Sequence, residues 1–308
     1  MRPWLLAVAC FLGALLLGGI SSYPVFSLIQ SIASDGLLGF LTKYPFSRVS
    51  NRCFMLAGIL FLIIYLRLCR FEWRDVWTTK KEIQQSLPAF AKAYTFGLLS
   101  LGVIAILFIS LDIRVIRPQL ELSKILKKIA SGLIAGLAVG LIEELVFRKL
   151  ILDHLSKRMV FFKAAFFSSS LYAMVHFVKA KSAITDLGYF SGFTHFFNAF
   201  SMYKDPAIVG SLLTLLVVGM FLCYTARSTK TLVHCIGIHA AWVMLIRTFK
   251  GLTYENPRSN LSFLIGSYDG ITGYLAALWL LILLILAYVF VFPQGDKNAQ
   301  EITSNNIP

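Results

Sequence analysis

The sequence predicts an all-α, polytopic transmembrane helix bundle of about eight spans. Hydrophobic residues make up 57% of the 308 residues and charged residues only 14%, whereas a soluble domain averages roughly 25% charged residues. The mean hydropathy is +0.74. Apolar runs of about 18–20 residues, long enough to cross a hydrocarbon core of roughly 30 Å, recur along the chain. These observations exclude a soluble globular enzyme, a disordered chain and a disulfide-rich secreted module.

Eight apolar segments supply the predicted spans. The first is expected to remain as an uncleaved signal anchor, because no small-x-small cleavage site follows it cleanly. The polar residues 293–308 are expected to be unstructured. In order, the predicted spans are residues 4–22, 53–69, 89–111, 129–152, 159–178, 207–225, 231–249 and 271–292.

The charge pattern indicates contact with lipid rather than with nucleic acid. The net charge is +14, from 29 Lys and Arg against 15 Asp and Glu. Most basic residues lie between the apolar runs, where they meet lipid headgroups. We therefore expect a lipid bilayer and no nucleic acid as partner. The expected location of this multi-pass protein is the bacterial inner membrane. The Lys and Arg count is equal on the two sides of this topology, and only the dense basic loop 67–92 favours an orientation, with that loop in the cytoplasm.

A long aromatic segment, residues 179–206, carries little charge. One interpretation is an amphipathic segment that its aromatic side chains hold at the membrane interface. The other is a re-entrant flap over a site. The sequence leaves both open.

Two adjacent carboxylates lie inside the fourth predicted span. Glu143 and Glu144 end a run that is otherwise apolar from Gly132 onwards. A charged residue at the centre of a span costs roughly 2.5–3.5 kcal/mol on insertion scales, so intramembrane carboxylates need partners or a function. Glu144 and Arg148 are four residues apart on a helix and can pair directly. Glu143 lies about 100° further around the helix and is predicted to face a cavity.

A row of glycines precedes the acidic pair. Gly132, Gly136 and Gly140 recur every four residues, which lets another helix approach closely along that face. Glu144 continues the row. Glu143, Glu144 and Arg148 could therefore also form an ion-pair network that holds helices together.

Two histidines lie deep in other predicted spans. His176 follows Tyr172 by four residues, so a helix would place the phenol and the imidazole on one face. His239 is flanked by small residues. Two carboxylates and two imidazoles suit hydrolysis, which needs a base to activate water and donors to hold the oxyanion. No Ser or Cys beside a His marks a covalent nucleophile.

Two other uses of these residues remain open. Zinc bound by His176, His239 and a Glu is chemically possible, since the ligands can come from separate helices, although the sequence has no HExxH motif. A proton- or ion-coupled transporter could use the same groups as a relay. The lack of matched broken helices or a long-period repeat disfavours the transporter.

The order and spacing of these residues resemble the CPBP family, the CAAX-protease and bacteriocin-processing group of intramembrane endopeptidases. Its motifs are EExxxR, FxxxH and HxxxN (or a related ending), each on a different transmembrane helix and in that order. The first is complete here, from Glu143 to Arg148. The second reads Tyr172 to His176, with Tyr for Phe, and the third reads His239 to Val243, with Val for Asn. The resemblance covers residues 129–249.

The resemblance implies a glutamic protease without a metal cofactor. Glu143 would be the general base, His176 would hold the attacking water and His239 would stabilise the oxyanion, while Glu144 and Arg148 support them. The implied substrate is a membrane-associated or lipid-modified protein or peptide.

The resemblance also divides the chain. Residues 1–128 would form about three N-terminal spans, 129–249 a catalytic core of about four, and 250–308 the last span and a polar tail.

Val243 lacks the amide that would donate a second hydrogen bond to the oxyanion, a loss typically worth about 10²–10³ in rate. The alternative is thus a catalytically silent family member that acts as a binding or immunity protein.

Overall fold

The computed structural model describes residues 3–32, 41–69, 80–178, 186–266 and 268–292. Of these residues 81% are helical, which confirms the predicted all-α class. The long helices are α1 (Pro3–Ile32), α2 (Phe46–Leu68), α3 (Lys80–Ser110), α4 (Leu122–Glu144), α6 (Phe161–Val175), α8 (Val209–Thr229), α9 (Leu232–Leu252) and α10 (Tyr274–Phe290). The short elements are the strands β1 (Arg114–Ile116) and β2 (Thr253–Glu255), a π-helix (Leu145–Leu152), α5 (Asp153–Ser156), α7 (Ser191–Asn198) and the 3₁₀-helices Ala199–Lys204, Pro206–Ile208 and Ser262–Leu264.

Six segments of the described chain are long and apolar enough to cross a membrane, so the protein is an integral membrane protein. Each of the eight predicted spans coincides with a long helix. Two of those helices, Phe161–Val175 and Tyr274–Phe290, are apolar but shorter than 18 residues. The first helix is longer than the predicted span and continues through Pro24.

The chain divides into two compact units. The first unit comprises residues 1–75 and 176–205. Within it α1 packs against α2, where Ser22 Oγ and Ser50 Oγ lie 2.9 Å apart. The described part of the aromatic segment forms α7, which buries His195 and leaves Phe197 exposed. The interfacial and the re-entrant interpretations of that segment both stay predictions.

Several sequence predictions lie outside the described residues. They are the unstructured tail 293–308, residues 70–79 of the basic loop that favoured an orientation, and residues 179–185 of the aromatic segment.

The second unit comprises residues 76–175 and 206–308, and its central contact joins α4 to α9. The glycine row of α4 faces α9 directly. A Cβ atom at Gly140 would lie 3.3 Å from the Ile236 carbonyl oxygen, and one at Gly132 would lie 3.1 Å from that of Met244. The close approach predicted from the glycine spacing is therefore present, and it brings the end of α4 against His239.

Replacement of Gly136 tests this close approach. A Cβ atom there would overlap the carbonyl oxygen of Ala240, so Gly136→Ala must push α9 away from α4. We expect a loss of about 1–3 kcal/mol in the free energy of unfolding, the usual cost of overpacking. Thermal unfolding in detergent measures it. Gly102→Ala on α3 is the matched control, because nothing lies within 4 Å of a Cβ there. An equal effect of both substitutions would contradict the close-packed seam.

A two-stranded sheet, which the sequence analysis missed, fixes the loop before α10. Strands β1 and β2 pair antiparallel, with Arg114 opposite Glu255. Arg114 is 3% exposed and donates to Thr253 Oγ1 at 2.8 Å and to the Gly270 carbonyl at 2.9 Å. The Asp269 carboxylate accepts from the backbone N–H groups of Ile271 and Thr272. Residues 268–273 are thus held in place by buried hydrogen bonds.

Candidate active site

The acidic pair lies where regular α-helix gives way to π-helix. Glu143 and Glu144 are the last residues of α4, and the next eight residues, which include Arg148, are π-helical. Single π-helical turns inside α-helices occur frequently at functional sites. Ser168 Oγ of α6 donates to the Phe147 carbonyl at 3.0 Å, so the neighbouring helix supports this irregular backbone.

Glu144 is fully buried and holds two other polar side chains. Its Oε2 lies 3.1 Å from Arg148 Nε, which forms the ion pair expected from their spacing. Its Oε1 lies 2.7 Å from His239 Nδ1, and because a carboxylate only accepts, Nδ1–H is the donor. The link to His239 joins α4 to α9 and was not expected from the sequence. Glu144 therefore orients both the guanidinium and the imidazole.

Glu143 occupies a different environment from its neighbour. Its side chain is 25% exposed, whereas that of Glu144 is 0% exposed. Its Oε2 lies 3.7 Å from His239 Nε2, which is longer than a direct hydrogen bond. The two carboxylates thus face opposite nitrogens of one imidazole. Glu143 is the more accessible of the pair, in agreement with the helix-face argument.

The formal charges of the cluster nearly balance. Two carboxylates and the Arg148 guanidinium leave one negative charge, and an imidazolium at His239 would cancel it. Arg148 Nη2 also donates to the Gly219 carbonyl on α8 at 3.5 Å. A nearly neutral cluster with a fixed arrangement is far less costly at membrane depth than isolated charges.

Aromatic rings enclose the buried side of the cluster. The Arg148 guanidinium carbon lies 4.9 Å from the centre of the Tyr172 ring. The Tyr172 ring lies 5.1 Å from the Phe147 ring and 6.2 Å from the His239 imidazole. Tyr172 is 2% exposed, and its ring forms part of the wall of the cluster.

Tyr268 is a neighbour of the site that the sequence analysis missed. It lies in the loop before α10, outside every motif. Burial, together with the negative charges of Asp269 and Glu143, raises the pKa of Tyr268 to about 12. Its phenol therefore stays protonated at physiological pH. No spacing signal in the sequence links a loop tyrosine to a glutamate 125 positions earlier.

Helical spacing does not determine where His176 lies relative to Tyr172. Helix α6 ends at Val175, so His176 lies in the following turn and the face shared with Tyr172 in a continuous helix does not apply. His176 is also grouped with the first compact unit, whereas the other four predicted site residues belong to the second. Its role beside Glu143 stays a prediction.

Position 243, where the family motif has an asparagine amide, carries the apolar side chain of Val243. Val243 follows His239 by one helical turn on α9. The adjacent Trp242 indole N–H donates to Ser100 Oγ on α3 at 3.0 Å, which gives it a structural use away from the cluster. Neither residue replaces the amide.

No group of three or more His, Cys, Asp or Glu side chains in the described part of the chain has the arrangement of a metal site. The zinc alternative involves His176 and stays open to a chelator test.

Comparison with known proteins agrees with the motifs. Residues 125–245 match the family model described as "Type II CAAX prenyl endopeptidase Rce1-like". This match confirms the resemblance to the CPBP family over the segment that contains Glu143, Tyr172 and His239. No curated protein and no solved structure matches the chain.

Proposed function

We propose that this chain, whose residues 125–245 match the Rce1-like family model, is an intramembrane endopeptidase that uses a water molecule activated by Glu143. One observation carries the proposal. Glu144 holds Arg148 and His239 in place, while Glu143 stays partly exposed on the other side of the same imidazole. A purely structural network would not need the second carboxylate.

Each proposed step uses groups of this chain. Glu143 takes a proton from water as the hydroxide attacks the peptide carbonyl carbon. The carbonyl oxygen becomes an oxyanion, to which Nε2–H of the His239 imidazolium donates, while its Nδ1–H stays bound to Glu144. The tetrahedral intermediate then collapses, the C–N bond breaks and Glu143 returns the proton to the leaving amine. Glu144 keeps Nδ1–H fixed, which directs Nε2 towards the reacting carbonyl. His176 is proposed to hold the water.

The proposed substrate is a membrane-associated or lipid-modified protein or peptide, cleaved without a metal cofactor. The family match and the six candidate spans support a substrate that is associated with the membrane. The bacterial inner membrane as location stays a prediction.

The test is peptide cleavage by the full chain in vesicles. The panel contains one C-terminal peptide in farnesylated and unmodified forms, together with membrane-spanning peptides, and each is assayed with and without a metal chelator. We expect cleavage of at least one lipid-modified or spanning peptide, unaffected by the chelator. Loss of cleavage with the chelator would favour the zinc alternative.

The same vesicles separate the other functions. A pH-sensitive dye inside them would report proton flux, which the transporter alternative predicts and the protease does not. Binding of a panel peptide without cleavage would favour the silent binder. Either result in the absence of hydrolysis would overturn the proposed function.

A further inference from the structure

The geometry points to the Tyr172 hydroxyl as the second hydrogen-bond donor to the oxyanion, in the role that Val243 cannot fill. This inference rests on the proposed function. It makes Tyr172 a catalytic residue, because its hydroxyl would touch the reacting oxygen.

The hydrogen-bond donors of the charged cluster come from Arg148 and His239. The Arg148 guanidinium pairs with Glu144 through Nε and donates to the Gly219 carbonyl through Nη2, whereas its Nη1 is buried without a hydrogen-bond partner among the described residues. His239 has one ring nitrogen bound to Glu144 and only the other left for substrate. Hydrolysis benefits from more than one fixed donor at the oxyanion. Because Val243 of α9 is apolar, a second donor must be either Arg148 Nη1 or a side chain of another element.

The Tyr172 ring packs against both His239 and Arg148. Its ring lies 6.2 Å from the His239 imidazole at an interplanar angle of 78°, and the Arg148 guanidinium covers it at 4.9 Å. A phenol ring is thus fixed beside the Arg148 guanidinium and beside the first donor, His239. A phenylalanine would preserve these ring contacts but supply no proton.

Two residues of this chain depart from the family motifs, Tyr172 and Val243. Position 172 gains a hydroxyl and position 243 loses an amide. Position 243 lies one helical turn after His239 on α9, and position 172 lies on α6 four residues before His176, which follows the end of that helix. One change compensates chemically for the other if the phenol O–H reaches the same oxyanion.

The test measures peptide cleavage by the full chain in vesicles, with the best peptide of the panel. Tyr172→Phe should lower kcat by about 10²–10³-fold and leave KM within about twofold, because the donor acts in the transition state. It should also weaken binding of a phosphinate peptide, a tetrahedral analogue, by a similar factor. Tyr224→Phe on α8, whose ring packs on Phe161 instead, is the matched control and should change neither value.

Tyr268→Phe distinguishes the two phenols near Glu143. We expect a loss in kcat of less than about tenfold, since Tyr268 is not the assigned donor. A larger loss for Tyr268→Phe than for Tyr172→Phe would overturn the assignment.

A cycle with Val243→Asn adds an independent readout. The new amide should raise kcat more in the Tyr172→Phe background than in the wild type, because the two donors serve one oxygen. Equal effects in both backgrounds would contradict the shared role.

The outcomes separate the two proposals. Cleavage by wild type that Tyr172→Phe leaves unchanged would overturn the role of Tyr172 alone. A wild type that cleaves no peptide of the panel would overturn the proposed function, and the role of Tyr172 with it.

Discussion

Glu143→Gln is expected to lower kcat by about 10²–10⁴-fold, the usual contribution of a general base, with little change in thermal stability. Gln keeps the size of Glu143 but cannot take a proton from water. The partly exposed side chain is not the one that pairs with Arg148, so the buried ion pair remains intact. Cleavage of the best peptide, at equal amounts of folded protein, measures the effect.

Two control variants make this result specific. Glu121→Gln, at the exposed start of α4, should leave both activity and stability unchanged. Glu144→Gln should lower stability as well, because it leaves the buried Arg148 without its carboxylate. If Glu143→Gln keeps wild-type activity, Glu143 is not the base.

Arg148→Met is expected to lower the free energy of unfolding by about 3–5 kcal/mol, the cost of removing one partner from a buried ion pair. Arg148 is 1% exposed and Glu144 is 0% exposed, so the abandoned carboxylate would have no access to water. Thermal unfolding in detergent measures the loss. The double variant Glu144→Gln with Arg148→Met should recover much of it, since no unpaired charge then remains.

The next residue along the π-helix provides the control. Lys149 pairs with Asp153 at 3.3 Å with the same four-residue spacing, but both side chains are partly exposed. Lys149→Met should therefore cost less than about 1 kcal/mol. Equal losses for Lys149→Met and Arg148→Met would show that burial of the Arg148 pair contributes nothing.

Local patterns predicted much of this molecule. The long helices follow from apolar runs, because a span must satisfy its backbone hydrogen bonds internally. The close approach of another helix to α4 follows from glycines at every fourth position, and the Glu144–Arg148 pair follows from helical spacing. Each of these features depends on residues within one segment.

The features that could not be predicted depend on distant or irregular structure. The link between His239 and Glu144 spans 95 positions, and no local spacing tells which carboxylate an imidazole will meet. Strands β1 and β2 are three residues each, too short to show a period of two. The end of α6 before His176 removed the regular geometry on which the face argument depended. Tyr268 lies in a loop that hydrogen bonds of Arg114 and Asp269 hold in place, and no helical or strand period predicts its position.

The most direct measurement is single-turnover cleavage in H₂¹⁸O with a metal chelator present, followed by mass spectrometry of the product and of the enzyme. A water activated by Glu143 predicts that cleavage persists and that one ¹⁸O atom enters the new product carboxylate in the first turnover. It also predicts no label in the peptide that contains Glu143. Loss of cleavage with the chelator would contradict a metal-free site, and ¹⁸O in the Glu143 carboxylate would show covalent attack by that residue instead.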